Sequence, residues 1–254
     1  MSRVKRLRMI AGPNGSGKSE LFKSLALERS PSGVFHGGPF VNADELEAQW
    51  RTGHTIDLSP FDIASSTEEL RAWMRGSPLA RQVNRLVEKI ELQGSTLRMP
   101  PHRARSYFAA VLADYLREKL IDAGRSFSFE TVMSHESKVN ILARARSRGY
   151  RTYLYFVATD DPELNVQRVR VRALAGGHSV PRNKIVERFA RSLALLPAAI
   201  RASDRAYLFD NSGANHVLLA EIVLGKFWIH HLPEKSEPEW FRHLLTLFAS
   251  VASF

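Results

Sequence analysis

"AGPNGSGKSE", residues Ala11–Glu20, follows a short apolar run and precedes "LFKSLALER". Gly12, Pro13, Asn14, Gly15, Ser16, Gly17, Lys18 and Ser19 form a full G-x-x-x-x-G-K-[ST] match. "VKRLRMIAG" reads as a strand over Leu7–Ala11, and "KSELFKSLALER" as a helix with Leu21, Phe22 and Leu25 on one face. A loop between strand and helix is the context this motif requires. Without Cβ atoms in the way, the chain curls so that backbone N–H groups converge on a phosphate, and the helix N-terminus adds its positive end. Lys18 is expected to neutralise β/γ-phosphate charge, and the Ser19 hydroxyl to take a place on Mg²⁺. The stretch therefore predicts ATP or GTP binding, and leaves open what is done with the phosphate.

Working outward, strand-like and helix-like segments alternate from Leu7 to Asp210. The expected fold is α/β: a mostly parallel sheet flanked by helices. Gly225-Lys226 between two β-rich runs predicts a C-terminal hairpin, followed by a helix at "EPEWFRHLLTLF". "RSYFAAVLADYLREKLIDAG" is a strongly periodic helix stopped at Gly124, and "RSFSFET" a strand ending at Glu130-Thr131. Residues from about 52 to 104 show no strong strand. Ser66 with Glu69 suggests a capping box, and "LARQVNRLVEKIEL" a second amphipathic helix. This part reads as a helical insertion within a single domain spanning 1–254.

The chain has 254 residues and a net charge of +10, with 36 Lys and Arg against 26 Asp and Glu. Its pI is near 10.1. Such a balance suits an anionic partner, or simply a basic surface. There is no cysteine, which excludes disulfides, thiolate metal sites and cysteine nucleophiles. No run approaches the ~18 apolar residues of a membrane span, and the basic N-terminus lacks the long apolar core of a signal peptide. A cytoplasmic protein is the expectation.

Phosphoryl transfer to an alcohol needs Mg²⁺, a charge clamp, a carboxylate to take the hydroxyl proton, and closure against water. Asp44, just after the strand Phe40-Val41, is a candidate base, and equally a candidate N-cap for "ELEAQW". Glu130 suits a Mg²⁺-bound water, a substrate hydroxyl or a structural role; Thr131 suits substrate or an ordinary loop. Arg168, Arg170 and Arg172 cannot all face one site, and Arg172, nearest the glycines, is best placed to reach phosphate. "GGHSVP" ahead of a basic helix suits a closing lid, with His178 as a further candidate contact. Asp210 and Asn211, ending a strand, suit either nucleotide contact or loop support.

Taken in order, "AGPNGSGKS", "VNADELE", "FSFETVMS", "YLYFVATDDPELNVQRVRVR", "GGHSVP" and "RSLALLPAAIRASDRAYLFDNSG" resemble the zeta-toxin family of P-loop kinases, in particular its predicted ABC-type ATPase branch. The resemblance covers residues 7–46 and 105–213 and leaves 52–104 unexplained. It implies the P-loop nucleotide-kinase-like fold and an ATP- and Mg²⁺-dependent small-molecule kinase acting on a hydroxyl of a nucleotide sugar such as UDP-N-acetylglucosamine. It also implies a partner antitoxin protein. By motif it assigns Lys18 and Ser19 to phosphate and Mg²⁺, Asp44 to the base, Glu130 and Thr131 to the substrate side, and Arg172 to phosphate. An ABC ATPase would need an LSGGQ-like signature and an hhhhDE strand, and the sequence has neither. A nucleotide or polynucleotide kinase, or a P-loop ATPase working with nucleic acid, is the other reading; no membrane partner is expected.

Overall fold

The computed structural model describes residues 4–28, 38–101, 105–177, 179–230 and 237–251. In chain order the elements begin β1 (Arg6–Ala11), α1 (Lys18–Glu28), β2 (Phe40–Val41), α2 (Ala43–Gly53), β3 (Thr55–Asp57), α3 (Thr67–Gly76), α4 (Ala80–Val87), β4 (Glu91–Gln93) and β5 (Thr96–Arg98). They continue α5 (Arg105–Asp122), β6 (Phe127–Thr131), α6 (Glu136–Ser147), β7 (Arg151–Ala158), α7 (Pro162–Leu174), α8 (Arg182–Arg201), β8 (Arg205–Asp210), β9 (Val217–Val223), β10 (Lys226–Ile229) and α9 (Glu239–Val251). Packing groups them into two compact units: residues 1–37 with 128–254, and 38–127.

The first unit is an α/β layer. Its strands run in the order β10-β9-β8-β7-β1-β6. β1, β7 and β8 are parallel, whereas β9 and β10 close the edge as an antiparallel hairpin. Leu224 and Gly225 at its tip both have positive φ, which matches a tight two-residue turn. One face of the sheet is core. Met9, Leu154, Ala206 and Ile222 are at most 2 % exposed, and Phe156 and Phe227 meet Trp240 and Phe248 of the α9 segment edge-on. Parallel strands buried this way need crossover helices, and α6, α7 and α8 are those the sequence pattern predicts.

The second unit corrects the expectation of a purely helical insertion. Within 52–104 lies a three-stranded antiparallel sheet in the order β3-β5-β4. Each strand has only three residues, too few to display a period, and buries only Ile56 and Leu97. Gly94-Ser95 is the hairpin signal that the sequence did carry. α4 accordingly stops at Val87, five residues short of the amphipathic stretch read as one helix. Half of the expected capping box forms at α3: Ser66 Oγ accepts from the Glu69 N–H at 3.1 Å, while the Glu69 carboxylate accepts from Lys119 Nζ at 2.8 Å. α5 anchors the unit, with Trp50 of α2 edge-on to Phe108.

Candidate phosphate-binding site

The loop after β1 takes its shape from contacts that leave no room for side chains. Gly12 has φ +146°, and a Cβ there would lie 2.0 Å from the Val157 carbonyl oxygen of β7. Gly17 has φ +93°, and a Cβ there would lie 2.2 Å from Asn211 Nδ2. Both positions demand glycine on backbone and steric grounds together.

Around this curl, the carbonyls turn outward onto fixed donors. Lys18 Nζ donates to Pro13 O at 2.8 Å, Asn165 Nδ2 to Asn14 O at 2.6 Å, and Asn211 Nδ2 to Ser16 O at 2.8 Å. His216 Nε2 lies 3.1 Å from Gly17 O. Four carbonyls of the loop are thereby held. Holding them outward favours the inward-facing N–H geometry that binds an anion. The Ser16 hydroxyl is buried and has no hydrogen-bond partner among the described residues, so a donor waits inside the loop. A phosphate oxygen fits that donor, the Lys18 ammonium and the N-terminus of α1.

Glu130, at the end of β6, comes to the same place. Its Oε2 accepts from Ser19 Oγ at 2.9 Å, and its Oε1 is 3.9 Å from Lys18 Nζ. A hydroxyl and a carboxylate oxygen side by side fit Mg²⁺, which takes one or two protein oxygens and completes its shell with water and phosphate. Glu130, assigned to the substrate side by the resemblance, therefore lies beside Lys18 and Ser19. The Thr131 hydroxyl oxygen accepts from the Met133 N–H at 3.2 Å, in a turn where Met133 has φ +53°. Its own proton reaches no acceptor among the described residues.

The arginines separate. Arg168 donates to the carbonyls of Asn211 at 2.8 Å and Gly213 at 3.3 Å, bolting α7 to the loop after β8. Arg170 and Arg172 are exposed, and Arg172 sits in the last turn of α7, where Gly177 N donates to its carbonyl at 3.0 Å. Arg182, at the start of α8, pairs with Glu163. His178 lies outside the described residues. Asp210 accepts from Ser212 and from Trp240 Nε1, and Asn211 braces Ser16, so both serve as loop support.

Asp44 belongs to the second unit. The N-cap of α2 is Asn42, whose side chain accepts from the Asp44 N–H at 2.9 Å. Asp44 is thus not the cap. Its side chain is exposed in the first turn, and its carboxylate has no hydrogen bond or ion pair with a described residue.

Sequence reasoning missed Asn165, Arg168 and His216 as braces. Asn165 carried a signal: it sits four residues before Val169 on the buried stripe of α7, and an asparagine on an apolar stripe needs a partner. Thr159 Oγ1 and the Asn14 carbonyl are those partners. His216 lies in a loop with no periodicity and carried none.

Residues 102–218 match the zeta toxin family. No curated protein matches the chain. Among solved structures, the AvrRxo1-ORF1:-ORF2 complex with ATP superposes with a TM-score of 0.57 at 14% identity, over 96% of this chain and 64% of that one. The chain thus spans less than two thirds of that relative's length. The PezAT chromosomal toxin–antitoxin system of the human pathogen Streptococcus pneumoniae superposes with a TM-score of 0.50 at 14% identity, over 98% of this chain and 86% of that one. Over residues 102–218 the chain is thus similar to the zeta toxin family, and as a whole it shares the α/β fold of these P-loop kinase-like structures.

Proposed function

We propose that the chain is an ATP- and Mg²⁺-dependent phosphotransferase that moves the γ-phosphoryl group to a hydroxyl of a small molecule. The supporting observation is the cluster of Lys18, Ser19 and Glu130 on a glycine loop whose carbonyls are held away from the ligand side. Phosphoryl transfer asks the protein mainly for positioning and charge neutralisation, and this cluster supplies both. Mg²⁺, when held by Ser19 and Glu130, supplies charge neutralisation across the phosphates. ATP as donor is further supported by the relative solved with ATP.

In this reading Asp44 takes the acceptor hydroxyl proton, a role supported by the family resemblance and by a carboxylate not used as a cap. Arg172 supplies charge to the phosphates from the end of α7, and Thr131 donates to the acceptor. The acceptor class is a nucleotide sugar, UDP-N-acetylglucosamine being the compound that the resemblance implies. Residues 1–254 serve as one catalytic domain in the cytoplasm. An antitoxin protein is a proposed partner, since PezAT is named as a toxin–antitoxin system. No helix among the described residues is long and apolar enough to cross a membrane.

The test is purified protein with labelled ATP and Mg²⁺ against nucleotide sugars, nucleosides and oligonucleotides, read by mass spectrometry for a gain of one phosphate. Phosphate on a nucleotide sugar supports the full reading. Transfer only to nucleosides or oligonucleotides replaces the acceptor, and ATP hydrolysis without transfer overturns the kinase.

A further inference from the structure

The sheet of the first unit has two unlike faces. Strand register defines the second one, which is buried at Ile10 and Tyr155, each 1% exposed, and opens toward the edge strands among the described residues. Arg8 of β1 pairs with Tyr153 of β7, which pairs with Arg205 of β8; Arg205 pairs with Val223 of β9, and Val223 with Lys226 of β10. Two residues along the strands, Tyr155, Tyr207, Glu221 and Trp228 form the next row. One step before the first row, Arg6 pairs with Arg151. Partners in register point to the same side of a sheet, so arginine, lysine and aromatic rings are interleaved on one surface.

The rings and cations are ordered against each other. The Arg8 guanidinium lies 5.4 Å from the Tyr153 ring centroid, and Tyr155 and Tyr207 stack at 4.9 Å with planes 14° apart. Glu221 is the one carboxylate in these rows, and Arg205 neutralises it at 3.3 Å. Exposure grows toward the edge strand: Tyr153 and Tyr207 are half-buried, Arg205 and Lys226 exposed, and Trp228 is 52% exposed. A tryptophan half open to water on the same face of β10 as the exposed Lys226 contributes little to folding.

We propose that this face binds single-stranded nucleic acid, with bases stacking on Trp228 and the rim of Tyr207 and phosphates on Arg6, Arg151, Arg205 and Lys226. Charge complementarity selects the occupant. The chain carries +10 overall, and this surface gathers cations at the spacing of neighbouring strands, ~4.8 Å. A cationic groove with aromatic platforms is the arrangement that holds single strands without reading their sequence. This proposal is independent of the phosphotransferase reading.

The experiment is fluorescence anisotropy with the full chain and labelled oligouridine or oligothymidine of about twenty nucleotides, over a range of salt. Duplexes of equal length, heparin and anionic vesicles serve as competitors. Binding is expected to weaken about tenfold in Trp228→Ala. Arg205→Ala is expected to weaken binding and to lower the slope of log K against log salt by about 0.7. Nucleotide binding by both variants checks the fold, because neither residue belongs to the phosphate loop. A preference between RNA and DNA identifies the strand and supports the proposal. Absence of oligonucleotide binding, binding unchanged in both variants, equal displacement by heparin, or capture of vesicles in preference to single strands each overturns it.

Discussion

The phosphate loop and the start of α2 carry the same kind of chemistry on opposite terms. In the loop, four carbonyls are held by named donors, two glycines exclude any side chain, and Lys18 is 6% exposed. At α2, one hydrogen bond from the Asn42 cap orders the turn, and the Asp44 carboxylate stands in water. The lesson is a division between binding and chemistry. A triphosphate needs donors preorganised before it arrives, and buried hydrogen bonds hold them. A base needs a carboxylate free to change its protonation, and burying it in fixed partners would work against that.

Substitutions can break this comparison, beginning with the largest effect. Asp44→Asn removes the proposed base while keeping shape and cap. It is expected to lower turnover by about 10²–10⁴-fold and to leave ATP affinity unchanged, read by single-turnover transfer and calorimetry. Wild-type turnover in that variant would assign the base elsewhere. Glu130→Gln keeps the hydrogen bond to Ser19 but drops the charge offered to the metal. The Mg²⁺ concentration for half-maximal activity should rise about 10–100-fold, with ATP binding in the absence of metal little changed.

Asn211→Ala strips the Ser16 carbonyl of its buried donor. Urea unfolding should show a loss of about 1–3 kcal/mol, accompanied by weaker nucleotide binding. Loss of stability with nucleotide affinity intact would show that the brace holds the fold and not the loop geometry. The smallest effect belongs to Asn42→Ala, which removes the α2 cap and should cost about 1 kcal/mol by the same measurement. If it also slows turnover with ATP affinity constant, the cap positions Asp44 as well as stabilising its helix.

How far the sequence could be read follows from the range of the forces. β1, α1 and the loop between them were legible because glycine conformation and helix propensity act over a few residues. α5 was legible because eighteen residues are enough to display a period. The small sheet at 55–98 was not, since three-residue strands carry no periodicity and gain their identity only by pairing. Asp44 was left between base and cap because both roles want a carboxylate near a helix start. The structure gave the cap to Asn42, two residues earlier, where the backbone is extended with φ −129° and ψ 118°.

By itself the sequence determined the glycine loop, the alternation of strands and helices, and the lysine and serine at the end of that loop. Those properties are local, written in the glycines and in the period of apolar residues. Tertiary structure alone decided which side chains brace that loop. Asn165, Asn211 and His216 reach it from 151, 195 and 199 residues away along the chain. It also decided that Glu130 meets Ser19 across 111 residues. A hydrogen bond between distant residues exists only once β1, β6, β7 and β8 lie side by side, because nothing in the local chain sets its length or direction.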